Sequence, residues 1–253
     1  MSIVDVCGRM GNVDWTGRTL PANVAVLSVT TTGEIASDKD DRAAPALALT
    51  GAATRAGGYA VARDVTVTLA LLHPRWISTV AGTRSSACTD RRLSVTDLVP
   101  AQHCRRLLSA MREASNPQGR SRVLLHWLRE VWRDAAGRPK QPADSALAGP
   151  ESPRSTSARS QRQRERIFLR DHGVSMSRYR SIERFQQAVA GLAGGQSGAA
   201  VALEAGYADQ SHMCHQVRTF SGLTPTQLKQ ALSAGLFTAT YAAMPGFEKQ
   251  LVL

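Results

Sequence analysis

The stretch of sequence that most constrains the fold is residues 198–232, GAAVALEAGYADQSHMCHQVRTFSGLTPTQLKQAL. Small apolar residues at its start, with Leu203 among them, predict a compact first helix. Gly206 suits a tight turn, because glycine adopts positive φ at little cost. Asp209 predicts the N-cap of a second helix, and Thr224-Pro225 predicts the start of a third. Two short helices around a glycine turn are typical of a helix-turn-helix, with an ordinary helical hairpin as the alternative.

The predicted second helix has one apolar and one polar face. Met213, Val217 and Phe220 fall at i, i+4 and i+7, which is the spacing of one buried helix face. The other face carries Gln210, Ser211, His212, His215 and Arg218. This distribution predicts a helix that packs by its apolar side and presents its polar side outward.

A metal site is the alternative interpretation of this polar face. Only His212 and His215 share a side of the helix, Cys214 lies between them, and no carboxylate completes a ligand set. The four cysteines of the chain are scattered and form no CxxC pair, which argues against structural zinc and against a disulfide framework. We predict no metal and no cofactor, and reduced thiols in a cytosolic protein.

Charge favours a polyanionic partner. The formal net charge is +11 and the pI about 10.4, although charge alone does not separate nucleic acid from a membrane surface. Nine arginines and three acidic residues lie between Arg154 and Arg184. A solvated basic face would be the bland interpretation, but the position beside the predicted helix-turn-helix favours contacts to phosphate.

Residues 24–100 have a β texture. Runs of β-branched and apolar residues at 24–30 and 65–72, separated by Gly and Pro, predict short strands in a small barrel or sandwich. His73 is the single histidine of this region, and no phosphate loop, nucleophile elbow or HExxH motif is present. We therefore predict that the protein is not an enzyme.

Two amphipathic helices are predicted at residues 101–114 and 121–135. The second carries an apolar stripe at helical spacing, made of Val123, Leu124, Trp127, Leu128, Val131 and Trp132. The stripe predicts either burial against the β domain or a seam between two subunits. Residues 136–159 are rich in Pro, Ser, Gly and Ala and predict a linker, which divides the chain into domains at 1–135 and 160–253.

The run AGYADQSHM, followed by Arg218, Phe220, Gly222 and Thr224-Pro225, resembles the C-terminal signature of AraC-type (AraC/XylS) transcription regulators. The resemblance implies an α+β protein, with an N-terminal cupin-like β-barrel or sandwich, flanking helices, and a C-terminal all-α double helix-turn-helix domain. It implies a sequence-specific regulator in the bacterial cytoplasm, at the nucleoid, controlled by a sensor or dimerisation domain. The implied partners are double-stranded DNA, a small-molecule effector, RNA polymerase and a second copy of the chain, but no membrane.

The resemblance extends upstream to about Ser160 and assigns residues 161–170 to the second helix of the first module, with Ser160 as N-cap. It implies that Arg162, Glu165 and Arg166 face the major groove, where Arg can pair with guanine and Glu can accept from cytosine. Arg164 stands where the family has a buried Leu. The helix that should come before falls in a segment interrupted by prolines, which predicts a degenerate first module, or one that orders only on DNA.

A connecting helix is predicted at residues 177–192, with Arg178 and Arg180 able to reach phosphate. In the second module the resemblance places Gln210, Ser211, His212 and His215 at the groove, and Arg218 on phosphate. His215 stands where the family usually has Arg. Two rival functions remain: a sequence-tolerant DNA-binding protein with one working module, and a small-molecule-binding β-barrel with a vestigial DNA-binding tail.

Overall fold

The computed structural model describes residues 2–8, 15–37, 40–137 and 156–233. The described residues form an N-terminal antiparallel sheet with three helices and a C-terminal group of five helices. The α+β class predicted from the sequence is therefore confirmed. Within the described residues, no helix is both long and apolar enough to cross a lipid bilayer.

The sheet of the described residues contains seven strands: β1 (Ser2–Gly8), β2 (Trp15–Thr19), β3 (Ala25–Ser37), β4 (Asp40–Ala43), β5 (Leu47–Thr50), β6 (Gly57–Leu72) and β7 (Arg92–Ser94). Its order is β1-β6-β3-β5-β7; β2 also pairs with β6, and β4 with β3. The long strands β3 and β6 form its centre, with Leu27 opposite Ala70. Strands β1 and β2 lie before the β region predicted from the sequence. They were not predicted, because their Gly, Asp and Arg residues mask the alternation that marks a strand.

Three helices, α1 (Arg75–Ala81), α2 (Ala101–Glu113) and α3 (Pro117–Ala136), accompany the sheet. The positions of α2 and α3 agree with the two predicted amphipathic helices. Helix α3 begins four residues earlier than predicted, because the Asn116 side chain accepts a hydrogen bond from the Gly119 N–H and Pro117 occupies the first turn.

The apolar stripe of α3 is buried within the chain. Leu124, Trp127, Leu128 and Val131 are each at most 5% exposed. The Trp127 indole N–H donates to the His103 carbonyl at 3.0 Å, and its ring lies 6.4 Å from that of Trp76, centroid to centroid. Of the two alternatives left open by the sequence, the structure favours burial against the sheet over a seam between subunits.

The C-terminal helices are α4 (Thr156–His172), α5 (Met176–Ala193), α6 (Gly198–Glu204), α7 (Gln210–Ser221) and α8 (Pro225–Ser233). Helix α4 begins before Ser160, so the prediction of Ser160 as its N-cap is wrong, and residues 156–159 of the predicted linker are helical. The sequence after Pro153 contains no further proline or glycine up to His172, so nothing in it interrupts the helix. Ala136 is the last residue of α3, and residues 138–155 of the predicted linker, where the helix preceding α4 was expected, lie outside the described residues.

Helices α5 to α8 share one apolar core. Its largest fully buried side chains are Phe185, Ile182, Met213 and Leu228. Leu203, which the sequence placed in the compact first helix, is 81% exposed. Val201 and Ala202 face the core in this seven-residue helix, and a residue two positions after Val201 is rotated by about 200° to the solvent side.

Segments of the N-terminal part contribute to this C-terminal core. Leu20, which follows β2, is 3% exposed and belongs to the same apolar cluster as Ile182 and Phe185. The Asn23 side-chain amide donates to the Tyr179 carbonyl at 2.9 Å, and the Thr89 hydroxyl donates to the Gly173 carbonyl at 2.7 Å. Connecting segments of the N-terminal part and the C-terminal helices are therefore in direct contact, across the predicted domain boundary.

Candidate nucleic-acid interface

The turn between α6 and α7 is built by local capping. Gly206 has φ of 72°, the left-handed conformation that favours glycine. The Asp209 carboxylate accepts a hydrogen bond from the His212 N–H at 2.7 Å and caps α7. Gly222 ends α7 with φ of 74°, and its N–H donates to the Arg218 carbonyl at 2.8 Å. The turn glycine and the N-cap predicted from the sequence are confirmed.

Helix α7 packs by its apolar face and presents its polar face to solvent. Met213 and Val217 are fully buried, and Phe220 is 2% exposed. The five side chains predicted to face DNA are all exposed: Gln210, Ser211, His212, His215 and Arg218. Within the described part of the chain, Ser211, His215 and Arg218 make no side-chain hydrogen bond or ion pair. Their role in DNA binding stays a prediction.

Gln210 and His212 also contact the neighbouring turn. A methyl group at Gly198 would lie 2.9 Å from the Gln210 side-chain nitrogen, so this glycine leaves room for the glutamine beside the start of α6. The His212 ring meets the Tyr207 ring edge to face at 5.4 Å. Both side chains are thereby partly oriented before any partner binds.

Tyr207 fixes this turn against α5. Burial raises the pKa of its hydroxyl to about 12, although the nearby Arg184 lowers it. Its buried hydroxyl has no hydrogen-bond partner within the described residues. The guanidinium of Arg184 lies 5.9 Å from the centre of the Tyr207 ring, a cation–π distance that links α5 to the turn.

Helix α4 presents a strongly basic surface. Arg162, Glu165 and Arg166 are exposed, as predicted for groove-facing residues. Arg164 is exposed as well, so the cost of a buried arginine does not arise. Phe168 joins α4 to α5 through an edge contact with the Tyr179 ring, at 5.4 Å between ring centroids, and stacks within α4 on His172 at 3.9 Å.

The arginines of α5 differ in their surroundings. Arg180 is exposed, whereas Arg178 is half-buried. Arg178 donates through Nη2 to the Thr54 carbonyl at 2.7 Å, and its guanidinium carbon lies 4.5 Å from the centre of the Phe220 ring. The role of Arg180 on phosphate stays a prediction, but the structure turns Arg178 inward rather than towards a partner.

A signal for the inward position of Arg178 is present in the sequence. Arg178 lies four residues before Ile182 and seven before Phe185, so it shares their face of α5. Both of these residues are fully buried. We assigned Arg178 to phosphate by its charge, and the helical spacing would have placed it inside.

No group of three His, Cys, Asp or Glu side chains in the described ranges is placed to hold a metal ion. Cys88 and Cys104 are buried, and burial raises the pKa of both thiols, so they are held protonated. Neither lies on α4 or α7.

Residues 156–231 match the family model described as a "Helix-turn-helix domain". The match spans α4 to α7 and most of α8, and therefore includes every exposed side chain assigned above to DNA. This part of the chain is a DNA-binding helix-turn-helix domain. More particularly, it is an AraC-type domain of transcription regulators, as the resemblance in the sequence implied.

No curated protein matches the chain. Among solved structures, ToxT from Vibrio cholerae is similar with a TM-score of 0.41 and 10% sequence identity, over 94% of this chain and 100% of ToxT. ToxT bound to (E)-4-(8-methylnaphthalen-1-yl)but-3-enoic acid gives 0.41 and 9%, over 92% and 100%. ToxT bound to an unsaturated fatty acid gives 0.39 and 7%, over 90% and 93%.

Proposed function

We propose that this protein is a sequence-specific transcription regulator in which α7 reads base edges in the major groove of double-stranded DNA. The observation that carries the proposal is the exposed polar face of α7, on a capped helix whose apolar face is buried in a matched helix-turn-helix domain. Gln210 suits adenine N6 and N7. Ser211 and His215 are the neighbouring candidates for base contacts.

Affinity would come mainly from arginines. Arg162 and Arg166 on α4, Arg180 on α5 and Arg218 on α7 are exposed. Each that neutralises a phosphate releases counterions, so affinity should fall steeply with salt. With α4 as the second reading helix, the two helices would enter successive major-groove segments about 34 Å apart.

The N-terminal sheet is the proposed control element. The segment just before β3 contacts α5 through Asn23, and the turn before β7 contacts the turn before α5 through Thr89, so a change in the sheet would reach the helices through these connections. A small-molecule effector or a second copy of the chain would supply that change, and RNA polymerase is the downstream partner proposed. The proposed division into domains at 1–135 and 160–253, and a location at the bacterial nucleoid, complete this hypothesis.

The experiment is selection of duplexes by the wild-type protein from a random pool, followed by affinity measurements on single-base variants of the selected site. Gln210→Ala should cost about 1–3 kcal/mol at one base pair and relax the preference there. Arg218→Ala should weaken binding to all duplexes alike and reduce the salt slope by about 0.9.

Gln230→Ala on α8, an exposed glutamine outside the proposed interface, is the matched control and should change neither quantity. Equal losses on every duplex for both Gln210→Ala and Arg218→Ala would contradict base reading by α7.

The two rival functions give different results in the same experiment. A specific regulator should prefer its site over scrambled DNA by about 4–10 kcal/mol. A sequence-tolerant DNA-binding protein would show salt-sensitive affinity without that preference. A ligand-binding β-barrel with a vestigial tail would show neither, and would bind a small molecule instead.

A further inference from the structure

Three parts of the chain meet at Arg178. Arg178 is the third residue of α5, which follows α4 after a short connection. Its Nη2 donates to the Thr54 carbonyl in the loop before β6, at 2.7 Å. Its guanidinium carbon lies 4.5 Å from the centre of the ring of Phe220, in the last turn of α7. One side chain therefore connects the N-terminal part, the start of the connecting helix α5 and the end of the proposed recognition helix.

The loop that receives Arg178 is itself fixed from both sides. The Thr54 N–H and hydroxyl donate to the two oxygens of the Asp90 carboxylate at 2.7 and 2.6 Å. Asp90 adopts φ of 56°, a left-handed conformation that is uncommon outside glycine. Two residues after Thr54, the Ala56 N–H donates to the Phe220 carbonyl at 3.1 Å. The loop thus binds α7 directly as well as through Arg178.

We infer that Arg178 is a positioning residue that sets the position of α7 relative to α4. It thereby sets the spacing that the protein accepts between its two half-sites, the DNA segments read by α4 and by α7. This inference rests on the proposed function. A planar guanidinium can stack on a ring and donate to a carbonyl at once, which a lysine ammonium cannot reproduce. To reach a phosphate, Arg178 would have to leave both Thr54 and Phe220.

The test compares Arg178→Ala with Arg180→Ala, a matched variant of an exposed arginine two residues further along α5. The probe is the duplex selected by the wild-type protein, with and without one base pair inserted between its half-sites. One inserted pair moves the half-sites apart by about 3.4 Å and rotates them by about a tenth of a turn. Wild-type protein should discriminate against the insertion.

Arg178→Ala should keep the wild-type salt slope and lose about 2- to 30-fold of the spacing discrimination. Arg180→Ala should do the reverse, with a slope shallower by about 0.9 and the spacing discrimination unchanged. Arg178→Lys should restore only part of the discrimination, because it can keep the hydrogen bond but not the stacking.

Asp90→Gly provides the same test without removing a charge from α5. Glycine adopts the backbone conformation of Asp90 without strain, while the carboxylate that holds Thr54 is lost. This variant should also relax the spacing discrimination at an unchanged salt slope. It keeps the inference testable if Arg178→Ala does not fold.

Hydrogen exchange at the Ala56 amide is the readout that needs no DNA. Exchange should be slow in the wild type and faster in Arg178→Ala and Asp90→Gly. A shallower salt slope in Arg178→Ala with unchanged exchange at Ala56 would overturn the inference, because Arg178 would then contact phosphate. Faster exchange with full spacing discrimination would also overturn it, leaving a structural contact only. A wild type that prefers no duplex contradicts the proposed function itself, whereas failure of the inference alone leaves wild-type preference intact.

Discussion

His73 belongs to a cluster of aromatic rings between the sheet and the C-terminal helices. Its ring meets that of His172 edge to face at 4.8 Å between centroids, and His172 meets Tyr179 at 5.2 Å. The His73 Nδ1 accepts a hydrogen bond from the Arg75 N–H at 3.1 Å, which orients the ring. The contact between the two parts of the chain therefore includes a titratable residue.

This cluster predicts a pH-dependent stability. Burial lowers the pKa of His73, and the charges of His172 and Arg75 lower it further against the opposing effect of Asp171. The unfolded chain therefore binds the proton before the folded one as the pH falls. The free energy of unfolding should decrease below about pH 6.5, the ordinary value for histidine, and level off below the pKa of the folded state.

The measurement is urea unfolding at a series of pH values between about 5 and 8. His73→Asn should flatten the dependence, because an asparagine can still accept from the N–H two residues on but does not titrate. His126→Asn is the matched control, since the His126 side chain is 72% exposed on α3. Identical pH profiles for wild type and His73→Asn would refute the assignment.

Single residues were predictable from the sequence where their role is local. The cap at Asp209 and the turn at Gly206 each depend on a few neighbours along the chain, and both were predicted. The inward position of Arg178 depends on Thr54, 124 residues earlier. A single sequence carries no direct signal for such a contact, although the helical spacing of Arg178 indicated burial.

At the scale of the element, the Asp209 cap decides how well α7 begins. Asp209→Ala removes the acceptor for the His212 N–H and should lower the free energy of unfolding by about 1 kcal/mol. It should also weaken DNA binding, because the first turn of α7 carries the proposed base-reading side chains Gln210 and Ser211.

Asp209→Asn is the control for this prediction, since asparagine caps a helix about as well as aspartate. Urea unfolding of the two variants separates capping from charge. Equal destabilisation by both substitutions would mean that the negative charge at the helix N-terminus matters more than the hydrogen bond.

Helix existence was easier to predict than helix length. Helices α2, α3, α5 and α7 follow strong apolar periodicity, and the structure has them near the predicted places. The start of α4 was missed because its sequence has few apolar residues, so only the absence of proline and glycine indicated that the helix continues towards Thr156. Strands β1 and β2 were missed because they are defined by pairing with β6, not by their own composition.

At the scale of the whole molecule, the order of the two parts along the chain was predictable from the sequence, but the contact between them was not. Leu20 lies just before the region with a β texture, and nothing in its neighbourhood indicates that it packs with Ile182 and Phe185. Apolar burial is non-directional, so a leucine fits either core, and the choice depends on tertiary packing.

The packing of Leu20 in the C-terminal cluster can be tested by substitution. Leu20→Ala removes buried methyl groups and should lower the free energy of unfolding by about 2–5 kcal/mol. Because Leu20 is 3% exposed and packs in the C-terminal cluster, hydrogen exchange should rise at the amides of α5 more than at those of β3. Leu47→Ala is the matched control: Leu47 is 2% exposed but packs with Leu27 in the N-terminal cluster, so the amides of β3 should respond instead.

If Leu20→Ala and Leu47→Ala produced the same exchange pattern, Leu20 would not be a specific part of the apolar core of the C-terminal helices. If instead Leu20→Ala affects α5 and Leu47→Ala affects β3, the N-terminal part completes the core of the helix-turn-helix domain. Because Leu20 directly follows β2, a change in the sheet can then reach α5 and α7 by packing alone.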